Sequence, residues 1–192
     1  MSAGREGHGH VAFHEFPTDP VLFTPDLRPH VRAIIARHGP EEWRLCVLTS
    51  ETHQHLGMYS IAGAKMGLRA REVLDAGVGE VRVLSHAGSK PPLSCLNDGL
   101  QVSTGATLGH GTISVAGDSE PRPEATFTRG GRAVRLRLKP AYWEQIRTDI
   151  ARGIEEHGTL TPAYFYFVRR LSIRYWLEWD RTTIFEVEEA TA

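Results

Sequence analysis

Residues 53 to 74 read HQHLGMYSIAGAKMGLRAREVL, and this stretch decides the fold. From Met58 onward, apolar residues recur at helical spacing, and many of the residues between them are small. Small side chains on a helix allow another backbone to approach closely. The stretch therefore predicts a helix from Met58 to Leu74 that lies at the centre of the protein and packs tightly.

The sequence on both sides of this helix predicts further helices and strands. Residues 24–39 predict a first helix that stops at Gly39-Pro40, whereas residues 43–50, WRLCVLTS, form a short apolar run that favours a strand. Gly130-Gly131 lies between two alternating segments and predicts a two-residue hairpin turn. Other strands are expected within 79–86, 111–117, 124–130, 132–140 and 181–187, and other helices within 91–105, from Pro140 onward and within 163–179. Thr161 is the expected cap of the last helix, and Pro162 its first residue.

Helices that interrupt a largely antiparallel set of strands indicate an α+β fold, with a mixed sheet packed against the helices. The length of 192 residues suits one domain, which we assign to residues 18–192. Residues 1–17 are rich in glycine and histidine and are expected to form a flexible arm. Its histidines, His8, His10 and His14, are expected to chelate metal only opportunistically.

The composition excludes several classes of protein. A hydrophobic content of 41% and a formal net charge of -1 are typical of a soluble globular chain. No apolar segment approaches the roughly 20 residues that span a bilayer, and the N-terminus lacks the apolar core of a secretory signal. A cytoplasmic location is therefore expected. Two cysteines, Cys46 and Cys95, are too few for a disulfide framework or a four-cysteine zinc site.

The segment at residues 163–179, AYFYFVRRLSIRYWLEW, is apolar and aromatic over most of its surface. It is either buried in the core of its own chain or lies in a subunit interface. Burial of apolar surface contributes about 25 cal/mol per Å². One chain of this size is expected to cover only part of the segment, so the sequence favours a homodimer.

Cys95 is a candidate metal ligand. Ser94 follows Pro91-Pro92 and is a natural N-cap, which places Cys95 in the first helical turn, where backbone donors and the helix dipole favour a thiolate. Asp98 and Gln101 follow at three-residue intervals and lie on nearly the same face. Equally well, Cys95 is a small buried hydrophobe, Asp98 a partner of the helix dipole and Gln101 a surface residue.

Histidines form a second candidate group. His53 and His55 converge on one metal if the chain between them is a regular strand, whereas in a loop before a helix their geometry is undetermined. The sequence GATLGHG at residues 105–111 surrounds His110 with glycines, which suits a tight turn that brings the backbone close to a ligand. An ordinary surface loop explains this second sequence equally well.

The two blocks HQHLGMYSIAGAKMGLRA and CLNDGLQVSTGATLGHG together resemble the core of the formylmethanofuran dehydrogenase E-subunit family. That family carries H-G-H-x-C-P-G before a helix, and C-x-x-D-A-x-Q with G-C-T-x-G-K-G-N further along the chain. The matching positions are His53, His55, Gly63, Cys95, Asp98, Gln101, Thr104, Gly105, Thr107, Gly109 and Gly111.

The resemblance implies an α+β core, an intertwined dimer and a transition-metal site built from the His and Cys blocks. It does not imply dehydrogenase activity, because the redox chemistry of the family's enzyme complexes belongs to other subunits. Cysteine pairs of the C-terminal zinc finger that some members carry are missing, so the chain resembles the core-only members. Gly57 and Ala106 replace cysteines of the family, and His110 replaces a lysine. The lost thiol at Gly57 is expected to leave the metal with an open position.

We therefore predict a metal-binding protein that holds a transition metal, best matched by zinc, at a site made of imidazole and thiolate groups. The expected metal ligands are His53, His55 and Cys95. The residues expected to face a bound molecule, to orient ligands or, for the carboxylate, to act as general base are Asp98, Gln101, Thr107, Gly109 and His110.

Two other functions fit parts of the sequence, which leaves open whether the protein is an enzyme. A metal-dependent enzyme acting on a small polar molecule would use the metal as Lewis acid and Asp98 as general base. A nucleic-acid-binding module is less favoured. Arg135 and Arg137 share one strand face, but such a face is more often solvated or paired with acids of the neighbouring helix, such as Glu144, Glu155 and Glu156.

Overall fold

The computed structural model describes residues 12–117 and 119–190, in which five α-helices and five strands follow one another. The α-helices are α1 (Val31–His53), α2 (Met58–Leu74), α3 (Leu96–Thr104), α4 (Pro140–His157) and α5 (Pro162–Glu178). The strands are β1 (Arg82–Ser85), β2 (Ile113–Val115), β3 (Glu124–Arg129), β4 (Arg132–Leu138) and β5 (Phe185–Ala190). Short 3-10 helices lie at Pro20–Leu22, Arg28–His30 and Leu93–Cys95.

The strands form one sheet in the order β2-β1-β3-β4-β5. Strands β1 and β2 pair in parallel, and the other neighbouring strands pair antiparallel. Gly130 and Gly131, both with positive φ, join β3 to β4, which confirms the predicted hairpin. Met66 of α2 shares one hydrophobic core with Phe127 and Leu136 of the sheet. The predicted α+β fold with a mixed, largely antiparallel sheet is therefore confirmed.

Helix α2 lies at the centre of this core, as its small residues predict. Every residue from Met58 to Leu68 is buried. A Cβ atom on Gly63 would lie 2.1 Å from the carbonyl oxygen of Leu96 in α3, and one on Gly99 would lie 2.2 Å from that of Ser60. The backbones of α2 and α3 therefore touch where glycines remove the side chains, and this contact fixes α3 beside the start of α2.

The predicted strand at residues 43–50 is wrong, because these residues continue α1. The backbone leaves helical geometry at Gly39, whose φ is +87°, and Pro40 then begins a second helical segment, a position that suits proline. The predicted stop is thus a kink within α1. A short apolar run is compatible with either a strand or a buried helix, and here Trp43 and Cys46 are buried by helix packing.

Helix α5 begins as predicted, with the Thr161 hydroxyl accepting a hydrogen bond from the Tyr164 N–H at 3.1 Å. Much of its apolar surface is buried within the chain, while Phe165 and Tyr166 remain exposed. The larger buried side chains are Tyr164, Val168, Leu171, Ile173, Tyr175 and Trp176. In the described part of the chain, no helix is both long and apolar enough to cross a membrane.

Strand β4 has the two faces predicted for it, with Arg135 and Arg137 on the more exposed one. Arg135 pairs with Glu188 on β5 at 2.5 Å, and Arg137 pairs with Glu124 on β3 at 2.5 Å. The expectation that helix α4 supplies the acids, through Glu144, Glu155 and Glu156, is therefore wrong, because neighbouring strands place carboxylates closer. Internal pairing of both guanidinium groups argues against a phosphate-binding stripe.

The first described residues lie against the rest of the protein. Phe16 packs against a hydrophobic cluster that contains Trp43, and the Trp43 Nε1–H donates a hydrogen bond to the Pro17 carbonyl at 2.9 Å. His8 and His10 lie outside the described residues. The flexible arm at residues 1–17 and the domain at residues 18–192 stay predictions.

Candidate functional site

The two histidines of the H-x-H pair lie side by side where α1 ends and the chain turns toward α2. His53 is the last residue of α1, and His55 follows two residues later. Gln54 between them adopts a left-handed conformation with φ of +64°, which ends the helix and turns the chain. The centroids of the two imidazole rings are 4.2 Å apart. A helix terminus, and not a strand, therefore brings the pair together.

Asp98 holds the His53 ring in a defined orientation. The His53 Nδ1–H donates a hydrogen bond to Oδ2 of Asp98 at 2.6 Å, across the contact between α1 and α3. Because a carboxylate only accepts hydrogen bonds, a proton belongs on Nδ1, and in the neutral tautomer Nε2 then carries a lone pair. That Nε2 atom is buried and has no hydrogen-bond partner in the described part of the chain.

Gly57 faces the two imidazole rings. A Cβ atom on Gly57 would lie 3.3 Å from Nε2 of His55 and 3.4 Å from Nε2 of His53. The same point lies 3.1 Å from the hydroxyl oxygen of Ser60, in the first turn of α2. Both Nε2 atoms therefore lie within 3.4 Å of one place. Sequence reasoning missed Ser60, because a serine among the small residues of a packed helix carries no distinguishing pattern.

The environment of His55 favours the neutral form of its ring. Burial lowers the pKa of His55, and the neighbouring His53 lowers it further. A hydrogen bond to the His53 backbone and the charge of Asp98 oppose this shift in part. A neutral imidazole offers a lone pair, so the protein need not lose a proton from this side chain before it binds a metal ion.

Cys95 lies in a setting different from the one predicted. Ser94 belongs to the 3-10 helix Leu93–Cys95 and caps nothing, and Cys95 itself is the N-cap residue of α3. Burial, followed by the charge of Asp98, raises the pKa of the Cys95 thiol to about 11. The expectation that the helix terminus alone favours a thiolate is therefore wrong, because desolvation outweighs the backbone hydrogen bond that favours it.

A cavity of about 320 Å³ lies beside the His53 ring. Four of the predicted site residues and one residue of the loop at 105–111 contribute to its wall. These are His53, Cys95, Asp98, Gln101 and, from the loop, Leu108. Within residues 12–117 and 119–190, no group of three or more His, Cys, Asp or Glu side chains is arranged to hold one metal ion. The structure thus brings His53 together with His55 and Asp98, and places Cys95 on the wall of the adjoining cavity.

Gln101 and Thr107 brace the exposed turn after α3. The Gln101 side-chain oxygen accepts a hydrogen bond from the Leu108 N–H at 3.3 Å, and the Thr107 hydroxyl accepts one from the His110 N–H at 3.2 Å. Gly109 and His110 are exposed. Thr107, Gly109 and His110 do not line the cavity beside His53, so their predicted role toward a ligand stays a prediction.

Comparison with known proteins identifies the family. The sequence model of the FmdE family, described as "Molybdenum formylmethanofuran dehydrogenase operon", matches residues 52–186. No curated protein matches the chain. A solved structure that resembles it is a tungsten formylmethanofuran dehydrogenase FmdE-like protein from Syntrophus aciditrophicus, with 17% identity, a TM-score of 0.46, and coverage of 86% of this chain and 72% of that chain. Because the family model spans most of the sequence, including both histidines, Cys95 and all five strands in whole or in part, the protein belongs to the FmdE family.

Proposed function

We propose that this protein binds a transition-metal ion, best matched by zinc, through the Nε2 atoms of His53 and His55, with Cys95 as a further ligand. One observation carries the proposal. Nε2 of His53 is buried without a partner among the described residues, Asp98 orients its ring, and Nε2 of His55 approaches the same place. Buried polar atoms are rarely left without a partner, and imidazole with thiolate suits a borderline-soft divalent ion.

Each side chain has a definite task in this proposal. Asp98 fixes the tautomer and orientation of His53, which is the arrangement by which a carboxylate commonly supports a metal-bound histidine. Asp98 is therefore a positioning residue, because its near oxygen is already engaged by Nδ1. Gly57 contributes no ligand, so water or another molecule completes the coordination. A bound metal would act as a Lewis acid at that position.

A metal-dependent enzyme acting on a small polar molecule is the second candidate. The cavity of about 320 Å³ beside His53 favours it, because an open metal position is useful for catalysis only where a molecule can reach it. Saturable binding of such a molecule by the metal-loaded protein, absent from the metal-free protein, supports this candidate.

We also propose that the protein is a cytoplasmic homodimer. The exposed side chains of Phe165 and Tyr166 would lie in the contact between the two subunits, and light scattering tests whether the dimer forms.

Removal of one imidazole should weaken metal binding. His53→Ala is expected to lower the affinity for zinc at least about tenfold, because one of few ligands is lost. The measurement is competition with a chromophoric chelator, using protein purified without an affinity tag and lacking residues 1–11. His157→Ala, at the end of α4, is the matched control and should bind zinc like the natural protein. Equal zinc affinities in His53→Ala and His157→Ala would show that His53 is not a metal ligand.

Asp98→Asn should also weaken zinc binding while preserving the fold. The amide keeps the size of the side chain, but it accepts a weaker hydrogen bond from His53 Nδ1 and no longer raises the basicity of the ring. Loss of such a partner typically costs about tenfold to a hundredfold in metal affinity. Asp75→Asn is the control, because Asp75 ends α2 in a left-handed conformation that asparagine adopts readily. An unchanged zinc affinity in Asp98→Asn would contradict the positioning role.

A further inference from the structure

The N-terminus of α2 is buried and has no cap. Its N-cap residue, Gly57, has no side chain, and the first backbone hydrogen bond of the helix is the one from Ile61 N–H to Gly57 O at 3.1 Å. Within the described residues, the N–H groups of Met58, Tyr59 and Ser60 have no acceptor. All three residues are buried. Buried backbone donors without a partner are rare in folded proteins, so an acceptor is missing here.

A second, independent feature faces the same place. The His53 side chain is 10% exposed, and its unpartnered Nε2 lies 3.4 Å from the Cβ position of Gly57, the residue that precedes these N–H groups. A cation held by the two imidazoles would satisfy Nε2 but not the N–H groups. The positive end of the helix dipole also opposes a cation nearby, unless a negative group lies between the two.

We infer that the site between the two histidines and the start of α2 binds a small carboxylate. One carboxylate oxygen would accept hydrogen bonds from the N–H groups of α2, and the other would face the metal held by His53 and His55. An anion at the start of a helix satisfies its free donors and its dipole at once. The inference rests on the proposed metal binding, and it names the chemical class of molecule that fills the open position.

The test titrates acetate into the zinc-loaded, full-length protein and follows backbone amide signals by NMR. Zinc uptake is measured first, by calorimetry in a buffer free of carboxylates and phosphate, and only the uptake that His53→Ala loses is assigned to the site, because the histidines of residues 1–17 can also chelate zinc. Acetate should shift the amide signals of Tyr59 and Ser60 saturably, and acetamide, which has the same shape without the charge, should bind on the order of tenfold more weakly. The amide of Tyr164 is the internal control, because Thr161 already caps α5 there.

The outcomes separate the two proposals. Saturable shifts at Tyr59 and Ser60 with acetate, but not at Tyr164, support a carboxylate site. Zinc uptake without such shifts, or equal affinities for acetate and acetamide, overturns the carboxylate site and leaves the proposed metal binding intact. Failure to take up zinc removes the proposed function, and the carboxylate site falls with it.

Discussion

Gly57→Cys should tighten zinc binding about a hundredfold. Structural zinc sites with four protein ligands gain roughly 10–16 kcal/mol, so one added ligand contributes on the order of 3 kcal/mol. The Cβ of residue 57 would lie 3.3 Å from Nε2 of His55 and 3.4 Å from Nε2 of His53, so a thiolate attached to it starts beside both imidazoles. The new side chain would also occupy the place that we assign to the carboxylate, and acetate binding should be lost.

Competition with a chelator measures the zinc affinity, and Gly57→Ser is the matched control. Serine has nearly the shape of cysteine but a hydroxyl that binds zinc poorly, so it separates the effect of the thiolate from that of the added bulk. The Cβ would also lie 3.1 Å from the Ser60 hydroxyl, so the thermal stability of both variants should be compared first. Equal zinc affinities in Gly57→Cys and Gly57→Ser would show that residue 57 does not face the metal.

Local patterns predicted those elements whose signals lie within a few residues. The hairpin at Gly130-Gly131 follows from backbone geometry that glycine alone adopts easily, and the start of α5 follows from a threonine that caps it. Residues 43–50 failed because their side chains are equally apolar in a strand and in a buried helix. Their state is decided by packing against elements distant in sequence, such as the stacking of Trp43 on Trp176.

The sequence singled out residues that the fold brings close together, but it did not predict their arrangement. The sequence pointed to His53, His55 and Asp98, yet the hydrogen bond between His53 and Asp98 depends on the backbone contact that fixes α3 beside α2. The uncapped start of α2 was not predicted either. Gly57 in the sequence indicates a missing side chain, but only the fold shows that no other group among the described residues replaces it at the helix terminus.

A buried group of charges around Lys65 of α2 was also not predicted from the sequence. Lys65 lies among small residues and is 0% exposed, and its ammonium donates hydrogen bonds to Glu42 at 2.5 Å and to the carbonyl oxygens of Trp179 at 2.8 Å and Trp176 at 3.2 Å. The second oxygen of Glu42 accepts a hydrogen bond from Arg181 at 3.1 Å. One carboxylate thus serves two cations and joins α1, α2 and the end of α5. Such a group specifies how the three helices meet.

Glu42→Gln should therefore destabilise the protein more than Lys65→Met. Without the carboxylate charge, the Lys65 ammonium remains fully buried with neutral carbonyl acceptors only, and such a broken pair typically costs about 3–5 kcal/mol. Lys65→Met keeps most of the volume and leaves Glu42 paired with Arg181, which is partly exposed, so its cost is expected to be about 1–3 kcal/mol. Urea unfolding of the metal-free proteins measures the free energy of unfolding of each variant, and the surface variant Glu144→Gln is the control. A larger loss of stability in Lys65→Met than in Glu42→Gln would mean that Arg181 does not compensate the charge of Glu42, and that Lys65 provides its essential counter-charge.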